Sequence, residues 1–151
     1  MEDINKVLGR INLLGQIISQ STPRYLLLGG KLLEGEMKQR IFNQGLNSKA
    51  TKIGKYKAKQ WEKKRAETGR QTDYVDLEYT GQLRNSMQVV KTGKDEVVLA
   101  IVTDLDYKKA KGNEERRKET IFLPTDEERA SVEAYISDLI VEDFTKNFLS
   151  L

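Results

Sequence analysis

The stretch MQVVKTGKDEVVLAIVT, residues 87–103, decides the fold class. Two runs rich in β-branched residues flank Thr92-Gly93-Lys94-Asp95, a four-residue loop with glycine, and this pattern predicts a β-hairpin. The predicted strands are residues 87–91 and residues 96–103. Both faces of the second strand are apolar, which is typical of a strand that is central in its sheet or covered by helices. The two faces carry Val97, Leu99 and Ile101, and Val98, Ala100 and Val102.

Amphipathic helices are predicted before the hairpin. In residues 3–19 apolar side chains recur at steps of three and four, and Asp3 is the predicted N-cap. The residue before Pro23 is biased away from helix, so a separate second helix is predicted over residues 23–43. The glycine pair Gly29-Gly30 within it favours either close packing against a neighbour or a kink, and the sequence leaves both open.

A further helix is predicted at the C-terminal end. Residues 104–120 are charged and turn-like, and residues 121–123 predict a short third strand that ends at Pro124. Thr125 and Glu128 have the spacing of a capping box, which predicts the start of the last helix. The whole pattern predicts an α+β fold in which N-terminal helices and a C-terminal helix pack on a small, mainly antiparallel sheet.

The segment between the helices and the hairpin has a different composition. Residues 44–79 are polar, basic and interrupted by glycine, and they predict a long extended loop with a short helix over residues 57–66 around Trp61. Residues 49–70 hold nine basic and two acidic residues, whereas residues 119–151 hold two basic and eight acidic residues. The net charge of +3 therefore hides a basic middle and an acidic end.

The length of 151 residues suits a single domain, residues 1–151, with a helical part at 3–43 and the sheet and last helix in 80–151.

No His and no Cys are present, which excludes thiolate nucleophiles, His-dependent catalysis and Cys- or His-based metal sites. Asp104 and Asp106 lack the further oxygen ligands of a calcium loop. We therefore expect no enzyme, no catalytic residue, no metal and no cofactor. We also expect no membrane span and no signal peptide.

Aromatic and basic side chains alternate in the middle segment, and they suggest a contact surface. Trp, Tyr and Arg are typical anchors of protein interfaces, whereas basic residues interleaved with aromatics also suit nucleic-acid phosphates and bases. Both interpretations stay open for residues 49–70, beside that of a solvated surface. The predicted protein-interface residues are Tyr56, Trp61, Lys63, Lys64, Arg65 and Arg84.

Four segments of the chain follow one another in an order that resembles a known family. They are Arg40-Ile41-Phe42 at the end of the second helix, the loop around Trp61, the motif Thr80-Gly81-x-Leu83-Arg84-x-Ser86, and Phe122-Leu123-Pro124 before the last helix. This order resembles the tail-completion and head–tail joining proteins of tailed bacteriophages, a group also described as virion-morphogenesis proteins. The resemblance spans most of the chain, and the ordered set is more specific than any one motif.

The resemblance implies an adaptor rather than an enzyme, on an α+β fold. It implies a structural virion protein that forms a ring, such as a hexamer, in the neck or at the top of the tail, around the channel through which DNA passes. The expected partners are further copies of the chain, portal or head-completion proteins, and tail-tube or tail-terminator proteins. The expected location is the virion, after synthesis in the cytoplasm of the bacterial host. The alternative is a small nucleic-acid-binding protein that uses residues 49–70.

Overall fold

Two long helices and a hairpin organise the fold in the computed structural model, which describes residues 4–149. The architecture is α+β, which confirms the predicted fold class. Asp3, the predicted N-cap of the first helix, lies outside the described residues. In chain order the elements are α1 (Ile4–Lys38), a π-helical turn (Gln39–Asn43), α2 (Lys59–Glu67), α3 (Gln82–Ser86), β1 (Met87–Gly93), β2 (Glu96–Ile101), α4 (Asp104–Arg117) and α5 (Asp126–Leu149).

Helix α1 continues through Pro23, so the predicted break between two N-terminal helices was wrong. Proline removes one backbone hydrogen bond and costs about 3 kcal/mol inside a helix. The turn before it gains a side-chain bond, since the Thr22 hydroxyl donates to the carbonyl of Ile18 at 2.9 Å. The turn after it is held by tertiary packing, where the buried Tyr25 donates its hydroxyl to Asp143 of α5 at 2.6 Å. Tertiary contacts therefore override the local proline signal.

Helices α1 and α5 lie antiparallel and close together. A Cβ added to Gly29 would come within 2.6 Å of the Ile136 side chain, so glycine lets the two helices approach closely. Further along the pair, the Ser131 hydroxyl donates to Glu36 at 2.7 Å. Of the two alternatives for the glycine pair in α1, the structure shows close packing.

The hairpin forms where the sequence predicts it. Its antiparallel register places Met87 opposite Ile101 and Gly93 opposite Glu96, so the turn has two residues rather than the predicted four. Within the described residues these two strands make the whole sheet, and β2 is therefore not a central strand.

One face of the hairpin is covered by α1. A Cβ on Gly30 would lie 3.1 Å from Val89 and 3.4 Å from Val97, which shows how tightly the helix sits on the sheet. The backbone N–H of Val89 also donates to Glu34 of α1 at 3.1 Å. On the other face Val98 and Val102 stay exposed. The apolar faces of β2 predicted a strand that is either central or covered by helices. Coverage by a helix applies, and to one face only.

Residues 104–120 form a helix over most of their length, so the prediction of a turn-like segment was wrong. Helix α4 begins after Thr103, whose hydroxyl accepts from the N–H of Asp106 at 3.3 Å, and it ends at Lys118 in the left-handed conformation. Only Asp106 and Ala110 of this helix are buried. The helix therefore shows little apolar periodicity. The sequence signal that could have predicted it is its N-cap residue, Thr103.

The predicted third strand at residues 121–123 does not form. Side chains take the backbone bonds that a sheet would have made. The N–H groups of Ile121 and Phe122 both donate to Oε1 of Glu114, at 2.6 and 3.0 Å. The carbonyls of Ile121 and Leu123 accept from Arg40, at 3.2 and 2.9 Å. Because these backbone N–H and carbonyl groups already have hydrogen-bond partners, they do not need those that a neighbouring β-strand would supply.

The middle segment, predicted as an extended loop, contributes to the core. Ile53 and Val75 are almost fully buried in the main apolar cluster, together with side chains from α1, the hairpin and α4. The short helix α2 confirms the helix predicted around Trp61. At the start of this segment Gly45 has φ +64°, and a Cβ there would lie 2.5 Å from the carbonyl oxygen of Val75. Glycine therefore lets the chain leave α1 in close contact with the returning segment.

Candidate functional site

The side chain of Arg40 connects two of the segments that carry the family resemblance. It is buried at the end of α1, in the π-helical turn. Its guanidinium donates to Glu128 at 2.7 Å and to the carbonyls of Leu46, Ile121 and Leu123 at 3.1, 3.2 and 2.9 Å. The segment containing Phe122-Leu123-Pro124 is therefore held against Arg40-Ile41-Phe42.

Glu128, the partner of Arg40, also caps helix α5. Its second carboxylate oxygen accepts from the backbone N–H of Thr125 at 2.8 Å, and the Thr125 hydroxyl accepts from the N–H of Glu128 at 3.1 Å. This reciprocal pair confirms the predicted capping box. One carboxylate thus fixes both the start of α5 and its position against α1.

The motif at residues 80–86 forms the corner that leads into the hairpin. The Thr80 hydroxyl accepts from the N–H of Gln82 at 3.4 Å, and Gly81 turns the chain with φ +77°. Leu83 then points into the apolar core. Arg84 donates to the carboxylate of Glu78 at 3.3 Å. The turn forms as predicted, but its N-cap is Gly81, without a side-chain cap bond, rather than Thr80. These positions give the motif a structural role.

The last residue of this motif is tied to helix α4. The Ser86 hydroxyl donates to the buried carboxylate of Asp106 at 2.8 Å. Hydrogen bonds from Lys109, Thr103 and Ser86 lower the pKa of Asp106 to about 2, so the carboxylate stays ionised at neutral pH. Arg84 of the same motif donates to Asn43 at 3.0 Å, so the motif also reaches the π-helical turn.

Arg65, one of the predicted interface residues, lies in the interior of the chain. Its side chain is 1% exposed, and one guanidinium nitrogen, Nη2, donates to both carboxylate oxygens of Asp76, at 3.0 and 2.8 Å. It also donates to the carbonyls of Gln71 and Glu78 at 3.0 and 2.6 Å. Its guanidinium lies 4.6 Å from the ring centroid of Tyr56. All of these contacts lie within residues 44–79 and hold the middle segment together.

Tyr56 is partly buried over the same ion pair. Its hydroxyl donates to Asp76 at 2.9 Å, and burial raises the pKa of this hydroxyl to about 12. Tyr56 therefore presents only part of its ring to the surface. Its polar end belongs to the network around Arg65.

A groove of about 750 Å³ opens beside this ion pair, and we call it the basic–aromatic groove. Trp61 and Tyr79 form one wall, with ring centroids 4.7 Å apart. Its basic lining residues are Lys55, Lys57, Arg65, Arg116 and Arg117. Four of these cations line the groove together with the tilted aromatic pair, and Glu78 and Glu119 also line it. Because the cations are in excess, the groove suits an acidic or phosphate-bearing ligand.

Two of the groove's cations were not anticipated from the sequence. Arg116 and Arg117 come from the last turn of α4, a helix that the charged composition of residues 104–120 did not predict. The predicted interface residues Lys63 and Lys64 lie on α2 beside the groove. Lys63 extends into solvent with a side chain 80% exposed, whereas Lys64 lies 5.7 Å from the Trp61 ring centroid.

The described residues contain no cluster of three or more acidic side chains placed to hold a metal ion. Within the same range, no helix combines the length and apolar character that crossing a membrane requires. Comparison with protein-family models, curated proteins and solved structures finds no match for this chain.

Proposed function

We propose that the chain is a structural virion protein of a tailed bacteriophage. It acts as a tail-completion or head–tail connector adaptor and assembles as a ring around the DNA channel. In this proposal it works through contacts with further copies, with portal or head-completion proteins and with tail-tube or tail-terminator proteins. It is not an enzyme and uses no cofactor.

The separation of two unlike surfaces is the observation that carries this proposal. Among the described residues, none of α5 lines the basic–aromatic groove, and α5 holds seven acidic and two basic residues. One of these acids, Glu128, is buried against Arg40, and the others leave the helix surface acidic. A head-to-tail ring requires two different, complementary surfaces on each subunit. Opposite charges on those surfaces would guide neighbours into the correct orientation.

The positions of the resembling motifs also support the proposal. Arg40, Leu83 and Ser86 are buried, and their contacts join α1, the corner before the hairpin, α4 and the start of α5. Residues of this kind are those that a shared fold would retain. They support a resemblance in fold across most of the chain, with the exposed surfaces left to differ.

Deleting the gene from the phage or prophage that encodes it should give filled heads and separate tails, visible by electron microscopy of the lysate. Supplying the wild-type chain in trans should restore joined particles. The variant Lys63→Glu/Lys64→Glu should restore fewer of them, because it reverses two exposed charges beside the groove and leaves the buried Arg65 intact. Lys91→Glu/Lys94→Glu, an equal charge change on the hairpin, is the matched control. Normal joined particles in the deletion would refute the proposal.

Binding of nucleic acid in the basic–aromatic groove is the second candidate, favoured by the aromatic pair Trp61 and Tyr79 in a groove lined by cations. Trp61 is the single tryptophan, so its fluorescence reports directly on the groove. Titration with single-stranded DNA should quench it, with an affinity that falls steeply as salt rises. Lys55→Ala/Lys57→Ala should weaken binding about tenfold and flatten the salt slope, unlike Lys91→Ala/Lys94→Ala. Unchanged fluorescence at low salt would rule this candidate out.

A further inference from the structure

The outer edge of strand β2 carries backbone groups without partners. The N–H of Val102 donates to the carbonyl of Ser86 at 2.8 Å, and this bond continues the register of the hairpin. Because hydrogen-bonded pairs alternate along an antiparallel ladder, every second residue of β2 turns its N–H and carbonyl groups away from β1. Among the described residues none bonds to these groups. The outward-facing residues are Val97, Leu99 and Ile101.

The outer edge of β1, in contrast, is blocked. The N–H of Val89, which faces away from β2, donates to Glu34 of α1 at 3.1 Å. The register also shifts between Lys91 and Gly93. Natural proteins protect exposed sheet edges with covering elements, bulges, charges or proline. Residues 97–103 contain neither a charge nor a proline, so the edge of β2 is open to another strand.

An apolar cavity of about 290 Å³ lies beside this edge. Leu99 and Ile101 line it from the strand, and Tyr107 of α4 and Phe122 line it from outside the sheet. The Tyr107 side chain is 55% exposed. A strand added to the edge would place every second side chain on the same face as Leu99 and Ile101. The cavity therefore offers apolar surface to the side chains of an added strand.

We propose that β2 of a second copy of the chain occupies this edge, antiparallel and related by a two-fold axis. The inference concerns the free chain; it goes beyond the proposed function and does not rest on it. The outward-facing residues are symmetric about Leu99, so Leu99 pairs with Leu99 of the second copy and Val97 pairs with Ile101. In this register every outward-facing N–H and carbonyl group gains a partner, whereas a shifted register leaves some of them unpaired.

The charges at the two ends of the strand are compatible with the same register. Lys94 then lies opposite Asp104 of the second copy; both are exposed, and neither forms an ion pair with another described residue. The other two charges, Asp95 and Glu96, lie opposite the uncharged Thr103 and Val102. No like charges are opposite each other. An exposed pair adds little affinity, but complementary charges favour the correct register.

Amide hydrogen exchange of the wild-type chain tests this register directly. Sedimentation over a concentration series first gives the dissociation constant, and exchange is then followed by NMR well below and well above it. The amides of Val97, Leu99 and Ile101 should exchange at least about tenfold more slowly above it, because only the pair protects them. The amides of Val98 and Ala100 face β1 and should be protected at both concentrations.

A charge placed on β2 provides a second test. Val98 is 39% exposed, and in the proposed pair it lies diagonally across from Val98 of the second copy. Val98→Lys would bring two like charges together there and should weaken pairing at least about tenfold. Gln88→Lys is the matched control, since Gln88 is exposed on the same face but belongs to β1, the blocked edge. It should change pairing by less than about threefold.

Three results would overturn the inference. A wild-type chain that stays monomeric up to about 1 mM would leave the edge to a strand of another protein. Association of any size that leaves the amides of Val97, Leu99 and Ile101 unprotected would place the contact elsewhere. Pairing of a folded Val98→Lys variant with wild-type affinity would also contradict it. Protection of the Ala100 amide shows that this variant retains the hairpin; if it does not, exchange in the wild type decides alone.

Discussion

Replacing Arg65 with Met should lower the free energy of unfolding by about 3–5 kcal/mol, as measured by urea denaturation. The substitution keeps much of the side-chain volume but removes the cation, so Asp76 is left as a buried carboxylate without its ion-pair partner. Two backbone carbonyls, of Gln71 and Glu78, also lose their donors. A buried acceptor left unpaired loses its hydration without compensation, which is why the loss is large.

Lys63→Met is the matched control for this substitution. It lies on the same helix, two residues away, but its side chain is 80% exposed and its distance to Glu67 is 4.0 Å. An exposed pair of this kind contributes little, so the control should stay within about 0.5 kcal/mol of the wild type. A loss below about 1 kcal/mol for Arg65→Met would show that the middle segment does not depend on this buried pair.

Replacing Arg40 with Met should also cost about 3–5 kcal/mol, for a different part of the fold. Its guanidinium is the shared donor to Glu128 and to carbonyls in two separate segments. Without it the start of α5 loses its ion pair with the end of α1, although the capping box between Thr125 and Glu128 and the bond from Ser131 to Glu36 remain. Hydrogen exchange should therefore accelerate first in the amides around residues 121–129.

Arg24→Met provides the comparison for Arg40→Met. Arg24 also pairs with a carboxylate of α5, Asp143, but its side chain is 54% exposed. Because solvent screens an exposed pair, its loss should destabilise the protein much less than the loss of Arg40. Equal losses from the two arginine variants would contradict the view that burial and the additional carbonyl contacts decide the value of Arg40.

Local signals in the sequence predicted part of the fold. The hairpin and the start of α5 depend on turn residues and on a capping box, whose partners lie within a few positions of each other. Errors arose where distant contacts decide the structure. Pro23 is tolerated because α5 packs beside it, and residues 121–123 avoid a sheet because Arg40 and Glu114 satisfy their backbone groups.

The candidate site was predictable in composition but not in arrangement. The sequence indicated a surface of aromatics and cations, and the structure places Trp61 with Tyr79 in a groove. Nothing local distinguishes Arg65 from Lys63 or Lys64, because its burial depends on Asp76 eleven residues later. Arg116 and Arg117 could have been placed in the groove only by predicting α4, a helix with few apolar residues.

Most hydrogen bonds of Arg40 can form only after a long later part of the chain has been synthesised. Three of its four acceptors are 81 to 88 residues later in the sequence. At about 5–20 residues per second, the ribosome needs roughly 4–18 s to make them after Arg40 itself. Until then the guanidinium must remain in water, and α1 lacks the helix that covers it. Residues 121–128 thus complete the surroundings of Arg40 late in synthesis, so a chain that ends before Glu128 leaves this arginine without its ion-pair partner.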